Sequence, residues 1–376
     1  MFKLVKTDDK ARTGIIQTKS GPIETPFFMP VATKMQVKCL PTHLLKDMKN
    51  TAVISNAFIL YLKPGDEHVK QMGGIKKYMN YHGVNVTDSG GYQMYRESFL
   101  EKTTDEGVLF KSPFNGSKHF VTPEKDMLIQ INLDSDIAMA LDVMPNFHGV
   151  ERPEIEEAVR RTTLWAKSCK LEHDRLQAHL PKEKRQLLFA ISQGGIHADL
   201  REQSIRSLVD LDFDGFSVGG LGMGEPPEEQ AKMVAIQRSV IPEDKPLYLM
   251  GIGNPRELLD SIAKGADMFD SMFPTQNARR GTLFTSQGKL RLMRKEYDLD
   301  DKPIDPNCTC HTCKNYTRSY IRFLISQKEA SGYTLATYHQ LHYLTDLMKR
   351  ARDAIKAGTF KELHKEVVDA YEAADK

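Results

Sequence analysis

The sequence predicts an α/β protein, a (β/α)8 TIM barrel with a zinc-binding subdomain near its C-terminus. Short apolar runs alternate with amphipathic helical stretches through most of the chain, and glycines or polar residues follow the runs. A cluster of three cysteines stands late in the chain and predicts the subdomain. Strands that alternate with helices form a parallel sheet, because each helix carries the chain back to the start of the next strand.

Seven apolar runs are predicted as barrel strands, and an eighth lies near the N-terminus. The runs are Ala52–Ser55, Val84–Thr87, Ile137–Leu141, Leu187–Ile191, Gly215–Val218, Leu247–Met250 and Ala266–Phe269, with the earlier segment Phe27–Val31. This number favours a closed barrel over an open sheet. Helices are predicted at Pro153–Leu171, Ala198–Val209, Pro227–Ser239 and Pro255–Lys264. Asn254 is the predicted N-cap of the last helix, with Pro255 at its first position.

We divide the chain into a barrel over residues 1–299, a zinc-binding subdomain over 300–345, and a C-terminal helix over 346–376 that packs on the barrel. The polar, proline-containing segment Tyr297–Asn307 is typical of a linker between the first two parts.

Composition limits the kinds of partner. The 376 residues are 40% hydrophobic, which is enough for a full core, and the formal net charge is +2. Such near-balance predicts no general affinity for polyanions, so contact with nucleic acid has to come from local placement of charge. The N-terminal residues are too charged for a signal peptide, and no apolar run reaches the roughly 18 residues of a membrane span. We expect a soluble, cytoplasmic protein without membrane contact.

The cysteine cluster predicts a structural metal site. Cys308, Cys310 and Cys313 present three thiolates from one tight loop, and zinc takes four soft or borderline ligands in a tetrahedral shell. The candidates for the fourth ligand are His311, His339, His342 and His364. We prefer His339, which lies in a helical pattern, with His342 as the second choice. A closed shell leaves no open position, so we expect one structural zinc ion per chain. Cys39 and Cys169 stand alone and are expected to be reduced thiols.

Polar groups follow the predicted strands at the end where barrel enzymes carry their chemistry. The groups are Asp88, Asp142, Asp270, Gln193 and the glycine turns Gly219-Gly220 and Gly251-Ile252-Gly253. Singly, each has an ordinary explanation as a helix cap or a turn. Together, two carboxylates beside a sugar carbon suit displacement with retention, one attacking and the other moving a proton. A third carboxylate beside a glutamine suits the edge of guanine, so we infer an enzyme that acts on a guanosine-like N-glycosidic bond.

The motifs as a set resemble bacterial-type tRNA-guanine transglycosylases, in family order and over nearly the whole chain. They are Thr87-Asp88-Ser89-Gly90-Gly91-Tyr92-Gln93, Gln193-Gly194-Gly195, Val218-Gly219-Gly220-Leu221, Met250-Gly251-Ile252-Gly253, Phe269-Asp270, Pro274-Thr275 and the cysteine cluster with its histidine. The resemblance implies a (β/α)8 barrel, His339 as the fourth zinc ligand, and a homodimer.

The activity implied by the resemblance is exchange of the wobble guanine of tRNA for a 7-deazaguanine, preQ1 or queuine, through a covalent enzyme–RNA intermediate. Asp270 matches the nucleophile, and Asp88 matches the general acid/base. The implied base-binding residues are Asp88, Ser89, Gly90, Gly91, Tyr92, Asp142, Gln193, Gly220, Leu221 and Met250. The implied anticodon-loop contacts are Gly251, Ile252, Gly253, Asn254, Pro255, Arg256, Glu257, Thr275, Gln276, Asn277, Ala278 and Arg279.

The sequence departs from the family pattern at four places. Val143-Met144 replaces the usual Glu-Cys, Gln276 replaces an arginine, Asn254 replaces a basic residue, and Met223 replaces a smaller aliphatic residue. The first and last changes lie near the expected base pocket, so preQ1 and queuine both stay open as the incoming base. Two other hypotheses are a zinc-stabilised RNA-binding barrel without catalysis, against which Asp88 and Asp270 argue, and a nucleoside hydrolase.

Overall fold

The computed structural model describes residues 2–94, 98–145 and 150–375. The strands are β1 (Phe2–Asp8), β2 (Ala11–Thr18), β3 (Gly21–Thr25), β4 (Phe27–Pro30), β5 (Ala52–Asn56), β6 (Val84–Asp88), β7 (Leu100–Thr103), β8 (Val108–Lys111), β9 (Lys118–Val121), β10 (Ile137–Met139), β11 (Leu187–Ser192), β12 (Gly215–Val218), β13 (Leu247–Leu249), β14 (Met268–Ser271), β15 (Thr282–Thr285) and β16 (Gly288–Arg291). Short 3-10 turns lie at Lys182–Lys184 and Lys295–Tyr297.

Helices alternate with the barrel strands and then form the C-terminal part. They are α1 (Thr42–Asp47), α2 (Ala57–Leu62), α3 (Asp66–Gln71), α4 (Ile75–Tyr78), α5 (Gly91–Met94), α6 (Pro123–Leu133), α7 (Arg152–Gln177), α8 (Ala198–Val209), α9 (Pro227–Val240), α10 (Pro255–Ile262), α11 (Phe273–Arg279), α12 (His311–Asn315), α13 (Arg318–Ser326), α14 (Ala330–Ala357) and α15 (Phe360–Asp375). None of the helices in the described part of the chain has the length and apolar character that a membrane crossing requires.

Eight parallel strands form a closed barrel, which confirms the predicted fold class. Their order is β4, β14, β13, β12, β11, β10, β6 and β5. Val31 pairs in parallel with Ile54, and the Ala32 N–H donates to the Ile54 carbonyl at 2.7 Å, so the first and last strands of the series meet. Each predicted strand lies within two residues of an observed one, and α8 has the predicted bounds.

The barrel interior is packed with apolar side chains, and its N-terminal end is covered. The interior cluster includes Phe27, Met29, Val84, Val86, Phe189, Ile191, Tyr248 and Met268, all almost fully buried. Phe2, Ile16 and Ile23 of the antiparallel sheet β1–β3 belong to the same cluster. Arg12 of that sheet forms a buried ion pair with Asp267 at 2.8 Å, which fastens the cover to the strand end. This end of the barrel is therefore covered by the sheet β1–β3.

Some elements were not predicted. The sheets β1–β3 and β7–β9 and the hairpin β15–β16 are antiparallel additions to the barrel. Helix α14 packs against strands β1, β2 and β4 and against β15, so it joins the metal-binding region to the barrel. The boundary predicted at residue 345 falls inside this helix.

Candidate active site and metal centre

Three carboxylic acids come together at the C-terminal rim of the barrel. Asp88 ends β6, Asp142 follows β10, and Asp270 lies in β14. Side chains alternate along a strand, so Asp88 points to the same side as the interior residues Val84 and Val86. The closed barrel therefore concentrates acidic groups from separate strands at one mouth.

The position of Asp88 raises its pKa to about 7. Burial is the main cause, followed by the negative charges of Asp142 and then Asp270, while hydrogen bonds from the Gly90 N–H and from Asn56 act in the opposite direction. Asn56 Nδ2 donates to Asp88 Oδ2 at 3.2 Å. The Ile59 N–H donates to Asn56 Oδ1 at 2.8 Å, which orients the amide. A carboxyl with a pKa near neutrality can both give and take a proton.

Asp270 is oriented by two donors on one oxygen. The Tyr248 hydroxyl donates to Asp270 Oδ1 at 2.5 Å, and the Gly251 N–H donates to the same atom at 3.1 Å. Burial raises the pKa of Asp270, and these two hydrogen bonds lower it. Both hydrogen bonds that this side chain accepts from the described residues fall on Oδ1, and Oδ2 receives neither of them.

Asp142 and Gln193 form a hydrogen-bonding pair suited to a planar polar ligand. Gln193 Nε2 donates to Asp142 Oδ2 at 2.6 Å. Burial raises the pKa of Asp142 to about 6, although the bond from Gln193 lowers it. Helix α7 supports this strand end, because Thr162 Oγ1 accepts from the Val143 N–H at 3.0 Å and Cys169 Sγ accepts from the Leu141 N–H at 3.4 Å.

Glycines bring backbone close to this pair. A Cβ on Gly91 would lie 2.5 Å from Asp142 Oδ1, so only glycine fits. Gly220 has φ +66°, and a Cβ there would lie 2.7 Å from Gln193 Oε1. Glycine at both positions therefore lets the backbone of the loops after β6 and β12 approach the Asp142 and Gln193 side chains closely.

The other predicted base-site residues lie around the same mouth. Ser89 and Leu221 are buried, and Ser89 Oγ accepts from the Gly91 N–H at 3.4 Å. Met250 is half-buried and packs on the interior cluster. The backbone of Tyr92 is part of α5, but the side chain of Tyr92 is outside the described residues, so its predicted contact stays a prediction.

Both segments predicted to touch an anticodon loop lie beside Asp270. Gly251–Glu257 leads from β13 into α10, where Asn254 Oδ1 accepts from the Arg256 N–H as an N-cap. Thr275–Arg279 lies in α11, directly after β14. A Cβ on Gly253 would lie 2.8 Å from Pro274, so the first segment packs against the residue that directly precedes the second. Arg256 pairs with Glu372 at 3.1 Å, so its charge is already partly neutralised.

A cavity of about 150 Å³ adjoins the Asp142–Gln193 pair. Its walls are Met144, Pro145, Val150, Ile155, Gln193, Gly195, Ile196, His197, Gly220 and Met223. Two of the residues that depart from the family pattern, Met144 and Met223, therefore line space next to the base-site residues.

Four residues form a cluster that can hold a metal ion. The ligand atoms of Cys308, Cys310, Cys313 and His339 all lie within 4.8 Å of one another. His339 Nδ1 lies 3.2 Å from Cys313 Sγ and 3.7 Å from Cys310 Sγ. His339 Nε2 lies 2.8 Å from the Phe284 carbonyl oxygen. An N–H at Nε2 donating to that carbonyl leaves the Nδ1 lone pair directed at the thiols, as a metal ligand needs.

The other candidate histidines have different surroundings. His342 Nδ1 lies 3.7 Å from Cys308 Sγ and is outside the four-atom cluster. His311 turns toward Asn315, and His364 pairs with Asp260 at 2.6 Å. His339, the histidine preferred from the sequence, is thus the one that belongs to the four-atom cluster.

Two residues of this site were missed by the sequence analysis. Tyr248 was taken only as part of an apolar run, although strand alternation places it two residues before Met250 on the interior face. Asn56 follows a predicted strand directly, as Asp142 does, and that position was the available signal.

A closed α/β barrel that gathers carboxylic acids at the C-terminal ends of its strands has the arrangement in which barrel enzymes carry their active sites. The family model "Queuine tRNA-ribosyltransferase" matches residues 8–373. A protein named queuine tRNA-ribosyltransferase from Fusobacterium nucleatum subsp. nucleatum is 44% identical over 374 residues, covering 99% of this chain and 98% of its own. Proteins of the same name from Halothermothrix orenii and Staphylococcus aureus strain bovine RF122 are 42% and 45% identical, each over 96% of this chain and over 95% and 93% of their own.

The chain therefore belongs to the queuine tRNA-ribosyltransferase family and is a pentosyltransferase. This confirms the family and the enzyme class predicted from the sequence.

Asp88→Asn tests the burial of the acid. A carboxyl whose pKa is higher in the folded than in the unfolded chain stabilises the fold at low pH, and this contribution is lost as pH rises from about 4 through about 7. The free energy of unfolding of Asp88→Asn minus that of wild type should therefore increase by about 1–3 kcal/mol between pH 4.5 and pH 8. Urea unfolding at several pH values measures this difference, and a difference independent of pH would contradict the assigned environment.

Substitution of the clustered residues tests the metal site. Wild-type protein should hold about one metal ion per chain after dialysis, and Cys310→Ser and His339→Ala should lose it, because each removes one of four ligands. His342→Ala is the matched control and should keep the ion, since His342 is outside the cluster. Elemental analysis gives the metal content. Loss of metal in His342→Ala with retention in His339→Ala would reverse the assignment.

Proposed function

We propose that the protein exchanges the wobble guanine of tRNA for a 7-deazaguanine, with Asp270 as nucleophile and Asp88 as general acid/base. The observation that carries the proposal is the pair formed by an oriented Asp270 and an Asp88 with a pKa of about 7 at one barrel mouth. Family membership supports tRNA as the substrate.

The exchange needs two displacements at the C1′ carbon of the ribose. Asp270 Oδ2 attacks C1′, the bond from C1′ to the guanine N9 breaks, and Asp88 in its protonated form gives a proton to the leaving base. The incoming base then loses a proton to Asp88 and attacks C1′, which releases Asp270. Retention of configuration follows from the double displacement. The two donors on Asp270 Oδ1 hold the carboxylate in place, and Oδ2 is the oxygen that we assign to the attack.

Asp142, Gln193 and Gly220 suit the polar edge of the base. Guanine offers N1–H and N2–H donors, which a carboxylate accepts, while its O6 accepts from an amide or a backbone N–H. Asp142 is already hydrogen-bonded to Gln193 Nε2, so the pair is preorganised. Met250, Tyr92, Ser89, Gly90, Gly91 and Leu221 complete the proposed base site.

We assign the anticodon loop to the rim formed by Gly251–Glu257 and Thr275–Arg279. A base that reacts at C1′ has to leave the stack, and single-stranded loops allow this at low cost. Arg279, in the last turn of α11, supplies a positive charge on this rim that would attract a phosphate.

Zinc is the metal that best fits the Cys308, Cys310, Cys313 and His339 donor set. It would stabilise the subdomain of residues 300–345 and leave no open position for substrate. The proposed state is a cytoplasmic homodimer, in keeping with bacterial-type members of the family.

The cavity supports a second, narrower candidate, a member that uses queuine rather than preQ1. About 150 Å³ of space continues from Gln193 and Gly220 between Met144 and Met223. Guanine itself does not need this space, whereas a base with a bulky substituent does.

Asp270→Asn tests the catalytic assignment. Tritiated guanine incorporation into tRNA should fall by at least about a thousandfold, because the amide is a poor nucleophile. Metal content and tRNA affinity should remain, since Asp270 is distant in sequence from the cluster and its side chain accepts hydrogen bonds from Tyr248 and Gly251 rather than from a cluster residue. Equal incorporation by wild type and variant would exclude Asp270 as the nucleophile. Release of free guanine without incorporation would instead indicate a nucleoside hydrolase.

Filling the cavity tests the choice of base. Wild-type protein is assayed with preQ1 and queuine in competition for guanine displacement, and then Met223→Trp is assayed in the same way. If the cavity takes the substituent of queuine, the tryptophan should lower kcat/KM for queuine about tenfold or more and that for guanine about twofold or less. Equal losses for both bases, or a wild type that takes only preQ1, would exclude the queuine candidate.

A further inference from the structure

Arg201 is a fully buried cation beside the base site. It lies on α8, and its side chain is 0% exposed. Its guanidinium donates to three backbone carbonyls, from Nε to Gly195 at 2.6 Å, from Nη1 to Ser192 at 3.2 Å and from Nη2 to Gly220 at 3.4 Å.

The three carbonyls come from the ends of two neighbouring strands at the barrel mouth. Ser192 is the last residue of β11, Gly195 lies in the loop after it, and Gly220 follows β12. One planar group therefore connects the two loops that carry Gln193 and Gly220. Because a guanidinium presents its N–H groups in a fixed fork, it sets the spacing between these loops as well as the position of each one.

One helical turn later, Ser204 holds the same loop. Its Oγ accepts from the Gln193 N–H at 3.0 Å. Helix α8 thus fixes the carbonyl before Gln193, the amide of Gln193 itself, and the carbonyl of Gly195. The Gln193 side chain is then directed to Asp142 at 2.6 Å.

Burial of the Arg201 guanidinium carries a desolvation penalty that an apolar side chain at the same position would not have. Within the described part of the chain Arg201 has no carboxylate partner at ion-pair distance, and burial lowers its pKa to about 9. By contrast, the buried Arg12 at the closed end pairs with Asp267. A hydrophobic side chain of similar volume would avoid the desolvation penalty but could not hold three carbonyls.

We propose that Arg201 is a positioning residue for base recognition, which sets the distance between Gln193 and Gly220 by clamping their loops, with Ser204 fixing the Gln193 backbone. This inference rests on the proposed exchange of bases. It adds a residue that determines specificity through the loops it holds, without contacting the substrate.

The test separates the KM for the free base from the KM for tRNA. Arg201→Lys keeps the charge but lacks the planar fork, so the KM for guanine should rise about tenfold or more while the KM for tRNA changes less than about twofold. Ser204→Ala removes one hydrogen bond and should raise the KM for guanine by about two- to fivefold. This milder variant decides the matter if Arg201→Lys does not fold.

Arg238→Lys is the matched control. Among the described residues Arg238 also donates to backbone carbonyls alone, those of Ile241, Pro242 and Lys245, but it lies at the other end of the barrel. The variant Arg238→Lys should lower Tm as Arg201→Lys does, and it should leave the KM for guanine within about twofold of wild type. A KM for guanine within twofold of wild type in both Arg201→Lys and Ser204→Ala would reduce α8 to a structural support.

The wild-type measurement distinguishes this inference from the function on which it rests. Incorporation of guanine by wild type with an unchanged KM in both α8 variants overturns the positioning role alone. Absence of incorporation by wild type overturns the proposed exchange and the positioning role with it.

Discussion

Closure of the barrel is the constraint on which the site depends. The parallel pairing of Val31 with Ile54 joins β4 to β5, and every other barrel strand already has two neighbours. Because the strands are parallel, closure brings all their C-terminal ends to one rim. Asp88, Asp142 and Asp270 come from distant parts of the sequence, and they influence one another only because of this arrangement.

The carboxylic acids at the rim lower the stability of the fold, and other parts of the fold have to offset this. Buried carboxylates repel one another, and the ionised form of each has a lower free energy in water than in the protein. The barrel offsets this with a densely packed interior and a covered N-terminal end, where Arg12 and Asp267 neutralise each other. The opposite ends of one barrel are therefore specialised, one for stability and one for chemistry. Such a division explains how a site with raised carboxyl pKa values can persist in a stable protein.

Much of the barrel could be predicted because its signals are local. Apolar runs followed by amphipathic stretches gave the strands, and the Asn254-Pro255 pair gave the start of α10. The three antiparallel additions have short or charged strands, such as β1 with three exposed or half-exposed lysines and acids, so they lack a clear apolar run. Their pairing depends on the barrel against which they fold.

The candidate site was predictable where its residues follow strands. Tyr248 and Arg201 were missed for opposite reasons. Tyr248 lies within an apolar run, so it was assigned to the core. Arg201 lies on the buried face of α8 with Ser204 and Leu208, but a charged residue in an amphipathic helix is normally assigned to the solvent-exposed face. The carbonyls that Arg201 reaches are set by the distance between α8 and the loops in the folded chain. The sequence of α8 alone does not contain that distance. The metal ligands were simpler, since three of them lie within six residues.

The contacts between α14 and Phe284 have a consequence for the order in which parts of the chain can pack together. His339 Nε2 meets the Phe284 carbonyl, and Gln340 Oε1 accepts from the Phe284 N–H at 2.9 Å. The same helix reaches the first strands, where Arg352 donates to the Pro26 carbonyl at 2.7 Å. On the ribosome, the N-terminal strands are made long before α14 exists. The contacts of β1, β2 and β4 with α14 can therefore form only after the C-terminal part of the chain has been synthesised. The helix that carries His339 thus completes the packing of a barrel whose strands already exist.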